Sequence, residues 1–450
     1  MSTSGQHADT GLQLLPFRGL RYVPEQVGSL AAVTSPPYDV VVRPDGLQHL
    51  ESADPHNIVR LILPQAGTAA ARHEQSAATL SRWLAEGVLA HDPEPALYVY
   101  EQRRGTLLQR GLIGALKLSR PEDGVVLPHE DVMPDIVEDR AALMRATAAN
   151  FEPLLLTYRG DGGPAPVDAA AGTVDAASAG AGMPGAVGDG GAAAVIERAV
   201  SRPPLLATTT EDGFRHRLWS LTDAGEIAEA QSDLARHQAL IADGHHRWAT
   251  YLRLHTEHPG PGPWSHGLVL LVDTVRHPLE VRAIHRLLHR LPVADALAAV
   301  EGLFRVRTIE GLAPALAALA AAGADGNAFL LAGDGRFHLI DRPDEGLLAR
   351  TVPTSRPPAW RTLDATVLHH ALLDEVWRIP DTPDHIMYIH TADAAVEQAE
   401  RRGATAVLMH PVREEVVLDL ARLGVTMPRK STSFGPKPAT GLVLRSLGND

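Results

Sequence analysis

The stretch QALIADGHHRWATYLRLHTEH, Gln238 to His258, sets an apolar run, Ala239 to Ala242, directly against Asp243-Gly244-His245-His246-Arg247. Beyond this box, Trp248, Tyr251, Leu252 and Leu254 recur at the spacing of one buried helical stripe. The pattern predicts a buried strand, a glycine turn, and an amphipathic helix with both histidines in its first turn. A helix N-terminus presents backbone N–H groups and the positive end of a dipole, which suits an anion. Basic side chains meet like charge there, and a bound phosphate removes the conflict. Asp243 would then hold Mg2+ or accept a proton. The plain alternative is an Asp243 helix cap beside solvated basic side chains.

Working outward, strand and helix patterns alternate along the chain, so the expected class is mixed α/β (α+β). Residues 1–13 read as a flexible tail and 14–159 as an N-terminal α/β segment. The latter holds a strand near Leu20 to Val23 and a helix from about Thr68 to Glu86, patterned on Ala77, Leu80 and Leu84. ALYVYEQRR and LLQRGLIGALKLS follow, two strands able to pair as a hairpin about Arg104-Gly105. Residues 160–198 are Gly/Ala/Pro-rich with few large apolar side chains, the composition of a disordered insertion. Residues 199–450 read as a C-terminal α/β segment carrying the box. Within it, Ala224 to Ala239 is expected to be helical, AFLLAGDGRFHLI a hairpin turning at Gly-Asp-Gly, and TLDATVLHHALLDEVW an amphipathic helix.

Composition narrows the chemistry. The 450-residue chain has no cysteine, which excludes disulfides, thiolate metal sites and a cysteine nucleophile. Its net charge of −13, without a basic block, disfavours a nucleic-acid partner. The start MSTSGQHADTGLQLLPF has neither a basic lead nor a long apolar run, so it does not read as a signal peptide, and no window suits a membrane helix. A cytoplasmic protein is the expectation. Of 41 basic residues only Lys117, Lys430 and Lys437 are lysines, and two of them lie in MPRKSTSFGPKPATG. An ammonium is a compact point charge where a guanidinium is a planar fork, so lysines retained in an arginine-rich chain are candidates for phosphate contact, with chance the alternative. No G-x-x-x-x-G-K-[ST] loop, dinucleotide fingerprint or HExxH zinc motif occurs.

ADGHHR followed by an apolar helix resembles the phosphate-binding box of the ParB/sulfiredoxin superfamily, in the form found in free-serine kinases. SPPYDVV (Ser35 to Val41), HNIVRL (His56 to Leu61), LPHEDVMPDIVEDRAALMRATAANFEPLLLTY (Leu127 to Tyr158), HRLWSL (His216 to Leu221) and MPRKSTSFGPKPATGLVLRSL (Met427 to Leu447) accompany it in this order. Together they resemble a bacterial and archaeal family catalogued as domain of unknown function ten-fifteen. The resemblance implies a ParB/sulfiredoxin-like phosphate-binding core with large additional α/β segments. Sulfiredoxin's own activity needs a cysteine and is excluded.

The activity implied is that of a free L-serine kinase making O-phosphoserine, with pyrophosphate or ATP/ADP as donor and Mg2+ as cofactor. Asp243, His246 and Asp39 are then the catalytic candidates. Gly244, His245, Arg247, Lys430 and Lys437 are candidates for phosphate, and Asp243 and Glu130 for metal. Tyr38, Asn57, Arg60, His129, Glu130, Asp139 and Arg140 are candidates for substrate. A turn capped by Asp39 and a charged helix start from Asp135 are the structural alternatives for two of these segments. AIHRLL (Ala283 to Leu288) lacks the proline and threonine usual before its histidine and arginine, so His285 and Arg286 are read as structural. The expected partners are small-molecule substrates, with a homodimer left open and neither nucleic acid nor membrane. Two other classes remain: a non-catalytic phosphate or nucleotide sensor, and a metal-dependent phosphohydrolase.

Overall fold

The computed structural model describes residues 11–37, 46–161 and 190–448. Tyr38, Asp39, the first ten residues of the expected tail and residues 162–189 of the expected insertion lie outside the described residues. The protein is mixed α/β and divides into two compact units. Unit 1 comprises Met1–Leu127, Val132–Leu279 and Pro436–Asp450, and unit 2 comprises Pro128–Asp131 and Glu280–Gly435.

Unit 1 is organised on a nine-stranded mixed sheet. Its spatial order is Val126–Leu127, Ala239–Asp243, Leu154–Tyr158, His266–Asp273, Leu107–Lys117, Leu97–Arg104, Arg215–Leu221 and Leu206–Thr209, with Leu14–Leu15 paired onto Leu107–Lys117. Leu97–Arg104 and Leu107–Lys117 form the expected hairpin, turning at Gly105 with φ of 59°. Ala239–Asp243 runs parallel to Val126–Leu127 and antiparallel to Leu154–Tyr158. It is buried through Ala242, as its unbroken apolar run requires. Helix His245–Glu257 follows at once and buries Trp248, Thr250, Tyr251 and Leu254. A second sheet of four short strands, Leu89–His91, Gly19–Tyr22, Leu444–Ser446 and Ala149–Asn150, completes the unit.

Unit 2 carries a six-stranded, wholly antiparallel sheet. Its order is Arg305–Ile309, Phe337–Asp341, Ala328–Ala332, Thr405–Met409, His285–Leu288 and Ile386–Ile389. One face packs on Val367, Leu368, Ala371 and Leu372, the other on Ala315, Leu319, Ala395 and Ala399. The Gly-Asp-Gly hairpin joins Ala328–Ala332 to Phe337–Asp341 as expected. The amphipathic segment from Asp364 is helical, but from Leu368 to Trp377 it is a π-helix, a geometry its 3.6-residue stripe did not foretell. Among the described residues no helix is long and apolar enough to cross a membrane.

Five expectations need correction. The tail ends before residue 12: Leu12 is fully buried and its N–H donates to Leu234 O. Residues 192–200 are helix, not insertion, because Ala192, Val195, Ile196 and Ala199 form an i, i+3, i+4, i+7 stripe that the surrounding Gly/Ala composition masks. Helix Ala224–Leu234 stops five residues early, since Ala239 already belongs to a strand. In helix Ala69–Ala85 the buried face holds Trp83, and Leu84 is 39% exposed. The 14–159/199–450 division fails because Arg215–Leu221, from beyond the supposed insertion, pairs along its whole length with Leu97–Arg104. Local patterns cannot reveal a pairing between strands so far apart in sequence.

Candidate functional site

Gly244 makes the junction between strand and helix. Its φ of 101° is open to glycine, and a Cβ would stand 2.8 Å from Leu154 Cγ. The tight turn puts Asp243 at the strand end and His245, His246 and Arg247 in the first helical turn, as the sequence predicts. Asp243 is not the helix cap, however. Gly244 occupies that position and no side chain caps the helix.

The Asp243 carboxylate is held from both sides. Lys437 Nζ lies 2.7 Å from Oδ1, and Arg247 Nη2 donates to Oδ2 at 2.9 Å. Burial by itself pushes this carboxyl up, but Lys437, then Arg247 and His245, hold it well below the usual carboxylate range. Arg247 also donates from Nη1 to Glu152 O at 3.3 Å and Pro153 O at 3.4 Å, and pairs with Glu152 Oε2 at 3.5 Å. Glu152 Oε1 in turn accepts from Thr440 Oγ1 at 3.1 Å. His246 Nε2 accepts the N–H of Met133 at 3.1 Å, so in this arrangement that nitrogen carries no proton. His245 is buried, with 8% exposed, which the alternative of solvated basic side chains does not describe.

Lys437 reaches Asp243 because its segment is pinned on both sides. Gln102 and Gln109 both donate through Nε2 to Pro436 O, at 3.1 and 3.2 Å. The N–H of Ala439 donates to Tyr100 Oη at 3.2 Å, and Thr440 exchanges two backbone bonds with Ser35. Tyr100 Oη also lies 2.8 Å from His216 Nδ1, while His216 Nε2 lies 2.9 Å from Thr210 Oγ1. Burial pushes His216 down to about 4, so the imidazole bridges these hydroxyls in neutral form at pH 7. Glu152, Tyr100, Gln102 and Gln109 escaped the sequence reading. Glu152 stands in FEPLLLTY and His216 opens HRLWSL, but neither segment's local pattern says what its polar side chain touches.

The remaining candidates make contacts of their own. Asp139 pairs with His73 at 3.1 Å and Arg72 at 3.9 Å, which ties helix Pro134–Thr147 to helix Ala69–Ala85. Arg140 lines a cavity of about 20 Å3, room for about one water, with Arg247, Glu152 and Tyr251. Asn57 is buried: Nδ2 donates to Ala32 O at 2.7 Å, and Oδ1 accepts the N–H of Val59 at 3.0 Å, closing the start of a short helix. Arg60 donates to Glu51 O at 2.6 Å. His129, Glu130 and Lys430 belong to unit 2. There His129 Nε2 lies 3.0 Å from Thr432 Oγ1, and Glu130 Oε1 accepts the N–H of Lys430 at 3.2 Å.

Fold and box define a mixed α/β protein with a polar cluster at a strand–glycine–helix junction. The chain belongs to the family described as "Protein of unknown function (DUF1015)", whose model matches residues 14–178 and 186–366. No curated protein matches it. Similar solved structures include a free serine kinase in complex with AMP, at 14% identity, covering 74% of this chain and 91% of that one with a TM-score of 0.35. A conserved hypothetical protein from Pyrococcus furiosus is 14% identical over 72% of this chain and 90% of that one, with a TM-score of 0.33. SbnI with a C-terminal truncation, from Staphylococcus aureus, is 9% identical over 75% and 90%, with a TM-score of 0.35. Likeness at this level fixes neither substrate nor reaction.

Proposed function

We propose that the chain is a small-molecule phosphotransferase, a kinase of free L-serine that makes O-phosphoserine from pyrophosphate or an adenine nucleotide. The observation that carries the reading is the Asp243 cluster: one carboxylate at a strand end, two cations on its two oxygens, and a helix N-terminus whose first turn holds two histidines. Phosphoryl transfer asks a protein chiefly for positioning and for charge at the phosphate oxygens. Arg247 and Lys437 supply that charge, and Glu152 keeps Arg247 aimed. Asp243 would hold Mg2+ only once Lys437 withdraws from it, its carboxyl staying ionised even where burial opposes it. The metal when bound would neutralise charge on the donor phosphates. Asp243 or Asp39 would accept the serine hydroxyl's proton, and His246 would orient the phosphate from the first helical turn.

The same ion pairs also favour a second reading, a phosphate sensor. Both Asp243 oxygens are already engaged, so Lys437 must leave for a metal to enter, and a binding protein needs no metal. A phosphorus NMR time course separates the two. The full chain is incubated with Mg2+, L-serine and, in turn, pyrophosphate, ATP or ADP. A phosphoserine resonance growing with one donor is the expected result. Loss of donor to free phosphate alone would make the protein a hydrolase, and unchanged spectra with saturable donor binding would make it a sensor.

A further inference from the structure

We propose that unit 2 carries a second anion site, built on Arg286, that takes a small ligand through a carboxylate or phosphate group. Arg286 lies on strand His285–Leu288, between Ile386–Ile389 and Thr405–Met409, and is 1% exposed. Its contacts are few for a group with five N–H donors. Nη1 donates to Ile284 O, Nη2 lies 3.4 Å from His369 Nε2, and the Tyr388 ring faces the guanidinium at 5.2 Å. Nε is buried without a hydrogen-bond partner, and none of the contacts among the described residues is a carboxylate. Burial pushes Arg286 down only to about 10, so it is a cation at neutral pH. Asp381 and Glu130 act on Arg286 only through space, without touching it, so its buried Nε is left unspent, and buried charges in folded proteins are paired or bind ligands.

The surroundings suit an incoming anion. His369 sits on the π-helix Leu368–Trp377, a geometry that recurs at functional sites because it re-aims side chains. Burial and Arg286 push His369 down to about 4, and burial first pushes His285 to about 4, so neither ring adds positive charge. His285 Nδ1 accepts the N–H of Met409 at 3.1 Å, which leaves its proton on Nε2. At the rim, Arg429 is 43% exposed and 3.9 Å from Asp381 Oδ2, and Tyr388 Oη donates to Asp381 Oδ1 at 2.7 Å. Arg429 therefore meets the anion first, while Tyr388 and His369, both partly exposed, are the side chains that must yield for it to reach Arg286.

Isothermal titration of the full chain tests this with inorganic phosphate and, separately, malonate. The titrations use an Arg247→Met background, so that phosphate binding at the Asp243 cluster does not intervene. Saturable binding of either probe is expected, weakened at least tenfold by adding Arg286→Met and about threefold by adding Arg429→Met. Preference for phosphate or for malonate names the group recognised. The Arg429 variant leaves the core intact and keeps the test valid should Arg286→Met fold poorly. No saturable binding of either probe, or binding that both variants leave unchanged, would overturn the proposal.

Discussion

The two units treat buried charge in opposite ways. In unit 1 the Asp243 carboxylate is met on each oxygen by a cation, and Glu152 anchors one of them from behind. In unit 2 the Arg286 guanidinium is met by a carbonyl, a neutral imidazole and a ring face. A closed network of charges fixes geometry before any ligand arrives, whereas a cation whose carboxylates act only through space keeps donors for a partner from outside. The contrast separates a carboxylate whose counter-charges touch it from a guanidinium whose counter-charges stand off.

The sharpest way to break this contrast is Asp243→Asn. It keeps the shape but leaves Lys437 and Arg247 facing a neutral amide. The phosphorus NMR rate should fall on the order of 10²–10³-fold, the scale of a lost transition-state charge contact. Full turnover in this variant would remove Asp243 from the chemistry.

The next effect is on stability against pH. His216 in unit 1 and His369 in unit 2 are both held near 4, below their ordinary 6.5. The folded protein thus binds fewer protons than the unfolded chain. The associated stability is whole above pH 6.5 and is lost as pH falls toward 4, on the order of 3 kcal/mol for each histidine. His369→Gln keeps an acceptor for Arg286 and should flatten the acid limb of a denaturation series. An unchanged slope would mean that His369 is not neutral beside Arg286. The smallest effect is expected from Arg286→Met without ligand. Because no carboxylate touches Arg286, and Asp381 and Glu130 act on it only through space, chemical denaturation should show a change of about 1 kcal/mol or less, whereas a loss of several would mark Arg286 as a structural tie.

The box itself was legible in the sequence. The apolar run Ala239–Ala242, the glycine and the stripe through Trp248, Tyr251 and Leu254 each obey a local rule, and the structure folds them accordingly. The scarcity of lysine pointed at Lys437 without saying what it touches. Glu152 stayed invisible because its role depends on Arg247 reaching across from another element. Arg286 was read as structural because a strand pattern shows that a residue is buried but not whether a counter-charge accompanies it. Trp83 and Leu84 are neighbours in one helix, and only the partner surface decides which of them turns inward.

The placement of Lys437 has a consequence for how the protein is made. Unit 2 is almost wholly the segment Glu280–Gly435, inserted between the two parts of unit 1 that carry Asp243 and Lys437. A ribosome therefore releases the strand–glycine–helix junction well before the lysine that completes it. Until the whole of unit 2 has been synthesised, Asp243 has Arg247 but not Lys437, and the four-stranded sheet of unit 1 lacks Leu444–Ser446. Lys437 follows unit 2 in the chain, so a nascent chain stalled within unit 2 carries the box without the lysine that pairs with Asp243.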